Sequence, residues 1–169
     1  MKEEETIKKP QKKRLIIFIV IIILSVPILS SLINQFKLND FAKKTIPYTD
    51  NFLQLLTEMK YNELCLKYAV GSGLKTNDIK IQADKIGPEF GVIKSFSYKG
   101  MSFSQDGIFG DLTGVFLYYT LGFNNEKSYT GTFSIFLDKE TKKPIIGKIF
   151  NFTISGDYGE KHIEIRLIN

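Results

Sequence analysis

The stretch that decides the fold is LTGVFLYYTLGFNNEKSYTGTFSIFLD, residues 112–138, because hydrophobic and polar residues alternate along it twice. Alternation with a period of two is typical of a β-strand with one buried face. The polar break NNEK (124–127) is a turn signal, so the stretch predicts an antiparallel hairpin. The predicted core face comprises Val115, Leu117, Tyr119, Leu121 and Phe123 in the first strand and Tyr129, Phe133, Ile135 and Leu137 in the second.

The same period of two occurs on both sides of this hairpin, in residues 92–100, 145–154 and 162–168. Successive alternating strands joined by short polar turns predict an antiparallel sheet with one buried face. The side chains expected on that face are Val92, Phe96 and Tyr98, then Ile146, Phe150, Phe152 and Ile154, and finally Ile163, Ile165 and Leu167.

The segment before the strands has the spacing of helices. Apolar residues recur at helical intervals after Thr49 or Asp50, either of which is a plausible N-cap, and the apolar stripe changes phase near Lys60. We therefore expect two helices separated near Lys60, the second ending at the Gly-Ser-Gly of residues 71–73. A further helix is expected over residues 76–90. Helices followed by strands indicate an α+β fold, with the helices packed on the buried face of the sheet.

An apolar run near the N-terminus has three competing interpretations. Residues 15–36 form 22 consecutive uncharged positions, preceded by a basic segment. A core helix would be shorter and amphipathic. A cleaved signal peptide fits the basic segment and the small residues Ser30 and Ser31, but the apolar region is long and lacks an Ala-x-Ala pattern. About 20 helical residues span a bilayer, so we expect an uncleaved transmembrane anchor.

The charges that flank the run predict its orientation. Six Lys or Arg precede it, which places the N-terminus in the cytoplasm by the positive-inside rule. The expected organisation is a basic cytoplasmic tail (1–14), a transmembrane anchor (15–36), a juxtamembrane linker (37–48) and an extracytoplasmic domain (49–169). The protein would then lie in the cytoplasmic (inner) membrane, with its C-terminal domain periplasmic or extracellular.

The sequence FLQLLTEMKYNELCLKYAVGSGLKTNDIKIQADKIGPEFGVIKSFSY (52–98) resembles the front half of the NTF2-like, cystatin-like roll. An F-L-x-x-L helix meets a Y-x-x-L helix, and a third helix leads through Gly91, Val92 and Ile93 into the first strand. The resemblance covers residues 49–154 and implies N-terminal helices packed on a curved antiparallel sheet. The pattern is similar to uncharacterised bacterial families and to the single-pass, NTF2-like assembly subunit of type IV secretion systems. A weaker resemblance is to the small anchored assembly factors of cytochrome oxidase.

Residue chemistry argues against an enzyme. The chain has one histidine, His162, and one cysteine, Cys65, so neither a metal centre nor a cofactor is expected. NTF2-like enzymes place His or Asp inside the roll, whereas the inward positions here are apolar. Asp106, Asp111, Asp157 and Glu160 lie beside glycines in apparent turns and lack the spacing of a calcium loop.

Charge argues against nucleic acid as a partner. The net charge is +5, of which the first 14 residues contribute +3, and only two of the basic residues are Arg. The remainder of the chain is too weakly basic to form a phosphate-binding face. No nucleic-acid partner is expected.

Phe116 and Tyr118 alternate with the predicted core positions and therefore face the other side of the sheet. With Phe136 they form a possible exposed aromatic patch, a usual mark of a protein contact, unless the bent sheet or the final strand covers them. We expect a membrane-anchored extracytoplasmic binding or assembly module, a non-catalytic scaffold in a cell-envelope complex. Its partners would be other envelope proteins or a second copy. The alternatives are a soluble exported NTF2-like domain that binds a small apolar ligand and, less favoured, an NTF2-like enzyme.

Overall fold

The computed structural model describes residues 8–106, 112–141, 143–156 and 162–167, and its side chains except those of 8–13, 23, 24, 26–35, 37 and 105. Asp111, Asp157 and Glu160, which the sequence places in turns, lie outside the described residues. The helices are α1 (Lys8–Thr57), α2 (Tyr61–Tyr68), α3 (Thr76–Ala83) and α4 (Ile86–Phe90). The strands are β1 (Ile93–Gln105), β2 (Leu112–Phe123), β3 (Ser128–Leu137), β4 (Pro144–Ser155) and β5 (His162–Arg166).

The predicted α+β class is confirmed. The five strands form one sheet in the order β1-β2-β3-β4-β5, and every neighbouring pair is antiparallel. Each strand therefore pairs with the strand next to it in the chain, as short polar turns between alternating segments predict. The four helices precede the sheet in the sequence.

The chain divides into two compact units, Met1–Asn39 and Asp40–Asn169. The predicted anchor at 15–36 lies in the first unit and within helix α1. In the described part of the chain, no helix has both the length and the hydropathy needed to cross a membrane. The anchor remains a prediction. The second unit begins at Asp40, before the domain boundary that the sequence suggests at Thr49.

The prediction of a helix start at Thr49 or Asp50 is wrong, because α1 is continuous through both residues. The Oγ1 atom of Thr49 lies 3.0 Å from the carbonyl oxygen of Ile46 in the same helix, and Thr49 is completely buried. Thr and Asp favour helix starts because their oxygens accept backbone hydrogen bonds. Here their side-chain oxygens instead form hydrogen bonds with Tyr119 of the sheet. A sequence pattern cannot distinguish this use of Thr and Asp from a helix cap.

The other helix boundaries follow local chemistry. The predicted break near Lys60 is confirmed, and Met59 there has a positive φ of 56°. Residues 76–90 form two helices rather than one, and Lys75 is the N-cap of α3. The carboxylate of Asp78 accepts a hydrogen bond from the backbone N–H of Lys75 at 2.8 Å, so the acidic residue supports the cap from within the helix.

The sheet has an inner face, defined by Val115, Leu117, Tyr119, Leu121 and Phe123 of β2, and all five side chains are buried as predicted. Aromatic rings fill its centre. Phe52 of α1 lies 5.3 Å from Phe133, which lies 4.5 Å from Phe152 and 5.5 Å from Tyr119, measured between ring centroids. Edge-to-face and tilted aromatic packing of this kind fixes the helix on the sheet. The opposite side of β2, which carries Phe116, Tyr118 and Thr120, is called the outer face.

Two irregularities reverse the predicted alternation. The pairing of β1 with β2 shifts register between Ile93 and Ser95, so Ile93 is buried while Val92 is exposed. In β4, Ser134 pairs with Asn151 but Ile135 pairs with Ile149, which leaves Phe150 as an extra residue. Ile149 is consequently buried and Phe150 is exposed, the reverse of the prediction. A β-bulge changes the parity of a strand without a distinctive sequence signal.

Candidate binding groove

An open cavity of about 620 Å³ lies at the end of the sheet where β2 begins and β3 ends. Three aromatic side chains line it: Phe116 of β2, Phe136 of β3 and Phe150 of β4. We call this cavity the outer-face groove. Its polar lining residues are Asp106, Thr113, Ser134, Asp138, Lys139 and Asn151, and its aliphatic lining residues are Leu112, Val115, Ile135 and Leu137.

Strand pairing explains why these side chains meet. Phe116 pairs with Ser134, and Ser134 pairs with Asn151, so one transverse row crosses β2, β3 and β4 on the outer face. Phe136 follows Ser134 by two positions and keeps the same side of its strand. The bulge in β4 turns Phe150 out of the core, where it joins the two predicted rings.

A glycine beneath Phe116 allows its ring to lie over the strand. A Cβ atom built on Gly114 would lie 2.8 Å from Cζ and 2.9 Å from Cε2 of Phe116, which is closer than carbon atoms pack. The absence of a side chain at position 114 is therefore what admits the ring. Phe116 is half-buried, and the part of it that Gly114 does not cover contributes to the groove.

Asn151 holds a defined orientation at the groove. Its Nδ2 donates to Oε1 of Glu164 at 2.6 Å. The carboxylate of Glu164 also accepts a hydrogen bond from Nε of Arg166 at 3.0 Å. Burial raises the pKa of Glu164, but the hydrogen bonds from Asn151 and Arg166 outweigh it, and the net pKa is lowered. Within the described residues, the buried Oδ1 of Asn151 accepts no hydrogen bond.

The predicted patch is only partly assembled. Phe116 and Phe136 both line the groove, whereas Tyr118 does not. Tyr118 is half-buried on the outer face, and its hydroxyl lies 2.7 Å from Oγ of Ser102. The structure adds Phe150, which the sequence pattern assigns to the core. Gly147, with a φ of +73°, lies in a second register shift of β4, between Pro144 and Ile149.

A separate polar cluster, formed by Tyr119, Asp50 and Thr49, lies between helix α1 and the inner face of the sheet. Oη of Tyr119 donates to Oδ1 of Asp50 at 2.7 Å and lies 2.6 Å from Oγ1 of Thr49. Burial raises the pKa of Tyr119, so its phenol stays protonated and acts as a donor. A satisfied donor of this kind holds α1 against β2, which is a structural role.

The residues with catalytic or ligating potential are dispersed. His162 is exposed at the start of β5, opposite Ser155, while Cys65 is half-buried in α2 with its thiol 3.5 Å from the carbonyl of Leu74. Across residues 8–106, 112–141, 143–156 and 162–167, no group of three or more His, Cys, Asp or Glu side chains is arranged to hold a metal ion.

Comparisons with protein-family models, with curated proteins and with solved structures found no significant match. The resemblance to the NTF2-like roll therefore stays a hypothesis about the fold family.

Proposed function

We propose that this chain is a membrane-anchored, extracytoplasmic binding or assembly module, a non-catalytic scaffold of a cell-envelope complex, which holds its partner in the outer-face groove. The observation that carries the proposal is the grouping of Phe116, Phe136 and Phe150 in one open cavity of about 620 Å³. Binding sites for small molecules have volumes of about 300–1,000 Å³ and combine apolar walls with a few polar groups. Half-buried aromatic side chains are also the usual anchors of contact surfaces.

The inner face gives less support to a ligand inside the roll. In NTF2-like domains the concave face of the sheet encloses the pocket. Here Phe52 of α1 occupies the middle of that face, with its ring centroid 5.3 Å from Phe133 and 5.5 Å from Phe152. A helix side chain that packs among the rings leaves the outer face as the better binding surface.

The anchor is supported by an exposed apolar segment. The eight consecutive side chains from Leu15 to Ile22 are each 46–63% exposed, although all are aliphatic or aromatic. Such a run is costly in water, since burial of apolar surface is worth about 25 cal/mol per Å². Lipid would cover this surface, and the six basic residues that precede the run favour the cytoplasmic side for the N-terminus.

We further propose that the domain has the NTF2-like fold. Four helices precede a five-stranded antiparallel sheet, and α1 and α4 both place aromatic side chains on its inner face. This arrangement is compatible with the roll that the sequence resembles. The bulges in β1 and β4 bend strands, as a curved sheet requires.

Site-specific photo-crosslinking in intact membranes tests the function. A crosslinking amino acid at Phe136 lies in the groove, whereas one at Thr130 lies at the other end of the same strand and is its matched control. We expect a discrete crosslinked product from position 136, lost when Phe116→Ala is added, and none from position 130. Equal products from both positions, or a product that Phe116→Ala leaves unchanged, would remove the groove as the contact surface.

The enzyme alternative has its own test. His162 is the one histidine of the chain, and it lies outside the groove lining. The His162→Ala protein should still give the crosslinked product, and it should still complement the phenotype of a deletion strain. Loss of complementation by a His162→Ala protein that is folded and expressed would favour the enzyme.

A further inference from the structure

We infer that the occupant of the outer-face groove is a neutral glycan, bound by stacking of sugar rings on Phe116 and by hydrogen bonds from its hydroxyls to the surrounding side chains. The inference rests on the proposed function, because it names the class of ligand for the same surface. It follows from four properties of the groove: the aromatic platform, the uncharged polar groups, the balance of charge and the position on a sheet face.

The platform comes from the pairing of Phe116 with Gly114. Because the Cζ and Cε2 atoms of Phe116 lie within 3 Å of where a Cβ at position 114 would be, the ring lies along the strand instead of standing upright on it. The ring also lines the cavity, so the part of it turned away from the strand can contact a ligand. The C–H-rich face of a pyranose packs well on such a surface, because it is apolar and nearly flat, while its hydroxyls point outward around the ring.

The polar groups around the platform suit hydroxyls. Thr113, Ser134 and Asn151 are uncharged and line the same cavity. Each sugar hydroxyl both donates and accepts, so it can use hydroxyl and amide partners equally. The hydrogen bond from Nδ2 of Asn151 to Glu164 holds the amide in place, so Asn151 is a fixed polar group in the wall of the groove.

The charges that line the groove favour a neutral glycan over an anionic polymer. The exposed charges at the rim are Asp106 and Lys139, which are opposite in sign, and Asp138 accepts hydrogen bonds from its own turn at Thr141 and Glu140. A phosphate polymer needs clustered Lys and Arg. The groove has one Lys and two carboxylates among its lining residues, so it does not favour a polyanion.

The position of the groove on a face of the sheet favours a glycan over an extended peptide. Extended peptides bind through main-chain hydrogen bonds at the edge of a sheet. Phe116, Ser134 and Asn151 belong to β2, β3 and β4, whose backbones pair with neighbours on both sides at these positions. The groove therefore offers side chains rather than free backbone groups, and side chains are what sugar hydroxyls require.

The test is a titration of the full chain in lipid nanodiscs, because sugar-headed detergents would compete. Chitohexaose, cellohexaose and maltohexaose are the glycan probes, and decaproline is the peptide probe. We expect saturable binding of at least one glycan, monitored by calorimetry and by NMR shifts of the groove residues. Phe116→Ala should weaken it about fivefold or more, which corresponds to about 1 kcal/mol. Thr130→Ala, at the far end of β3, should leave affinity within about twofold, a difference of about 0.4 kcal/mol.

A second variant guards against misfolding. Phe150→Ser changes a side chain that is already 41% exposed, so it should weaken glycan binding while the melting temperature stays close to that of the parent chain. The inference is overturned if the folded chain binds none of the three glycans, if Phe116→Ala and Phe150→Ser bind as well as the parent, or if decaproline alone binds at the groove.

The two proposals fail differently. A Phe116-dependent protein crosslink from position 136, without glycan binding, would keep the proposed scaffold and reject the glycan. Glycan binding that both groove variants abolish, together with no crosslinked protein from position 136, would keep the glycan and reject the protein contact.

Discussion

The phenol oxygen of Tyr119 lies 2.6 Å from the hydroxyl of Thr49, so strand β2 and helix α1 meet through a buried hydrogen bond. Both side chains are almost completely buried, and the phenol also donates to the carboxylate of Asp50 at 2.7 Å. Asp50 and Thr49 precede the residues of α1 that pack on the inner face, such as Phe52. The polar contact therefore fixes the position of the helix along the strand, which apolar packing alone defines less sharply.

Tyr119→Phe should destabilise the chain by about 1–3 kcal/mol, since it leaves Thr49 and Asp50 without their shared partner in the core. The matched control is Tyr118→Phe, which removes a hydroxyl of the neighbouring residue on the half-buried outer face. Urea unfolding of both variants measures the difference. Equal stability of Tyr119→Phe and the parent chain would mean that the buried hydrogen bond contributes nothing net.

The same phenol gives a prediction for alkaline pH. Burial raises the pKa of Tyr119, and burial likewise raises the pKa of Tyr68. In the unfolded chain a tyrosine ionises near pH 10. The unfolded state then loses protons first, so stability is full below about pH 10 and falls as the pH rises further. Tyr119→Phe should flatten this alkaline decline only in part, because burial also raises the pKa values of Tyr68, Tyr61 and Tyr98. Unfolding titrations between about pH 8 and pH 11 would show the change.

Strand alternation predicted most of the sheet, because a half-buried strand must place apolar residues at every second position. All five core positions of β2 are buried, as are Ile163, Ile165 and Leu167 at the other edge. The errors occur where the register of strand pairing shifts, and Ile146, predicted on the buried face, is exposed next to such a shift. A bulge before Ser95 and another at Phe150 each exchange the two faces, and local sequence carries little trace of either.

Leu117→Ala should destabilise the chain by about 2–5 kcal/mol, because Leu117 is completely buried and the deletion leaves a cavity. Tyr118→Ala should be clearly milder, since Tyr118 is half-buried and loses mainly its hydrogen bond with Ser102. Thermal melts of the two variants compare adjacent residues on opposite faces of β2. Equal losses would show that the outer face is as tightly packed as the core.

Gly147→Ala should be strongly destabilising. Gly147 has a φ of +73°, and a Cβ there would lie 2.8 Å from Cδ1 of Tyr48, so both backbone strain and a ring clash oppose a side chain. A loss of about 1–3 kcal/mol is expected from an unfavourable backbone conformation of this kind. The control is Gly87→Ala in α4, where nothing lies within 4 Å of the new atom and helix propensity favours alanine. A small effect of Gly147→Ala would indicate that Tyr48 and the irregular stretch of β4 around Gly147 can move together.

The candidate site was predictable to the extent that it depends on alternation. Phe116 and Phe136 both fall opposite core residues in their strands, and both line the groove. Tyr118 follows the same pattern but lies farther along the strand, beyond the end of the cavity. The position of that end depends on the register of the sheet, which the sequence pattern does not give. Phe150 was missed because the bulge is a property of the pairing between β3 and β4 and not of β4 alone.

Glu164 gives a prediction for acid pH. Although burial raises its pKa, the hydrogen bonds from Asn151 and Arg166 lower it further than burial raises it. The unfolded state therefore binds a proton more readily, and the stabilisation is present above the unfolded pKa and lost as the pH falls through the folded pKa. Because the Glu164 side chain is 25% exposed and Arg166 is 68% exposed, the ion pair is worth about 1 kcal/mol or less.

Glu164→Gln should consequently reduce stability more at about pH 7 than at acid pH, because the contribution of the charged carboxylate is lost as the pH falls through its lowered folded pKa. Glu140→Gln changes an exposed glutamate of the turn between β3 and β4 and is the control. Chemical unfolding at both pH values provides the comparison. The same loss at both pH values would assign the effect to the amide geometry at Asn151 rather than to charge.

Residues 15–36 should be retained in the mature protein and should fix its orientation. With the native Cys65 replaced by Ser, a single cysteine at the exposed Lys99 should react with a membrane-impermeant maleimide on intact cells. A cysteine in place of Lys2 should react only after permeabilisation, because the five basic residues that remain before the apolar run favour the cytoplasm. Introducing Lys at Ile21 should weaken insertion, since a charge in the middle of a span costs about 2.5–3.5 kcal/mol.

Mass spectrometry that found a mature N-terminus near Ser31 or Leu32 would establish a cleaved signal, and the chain would then be a soluble exported protein of the same fold.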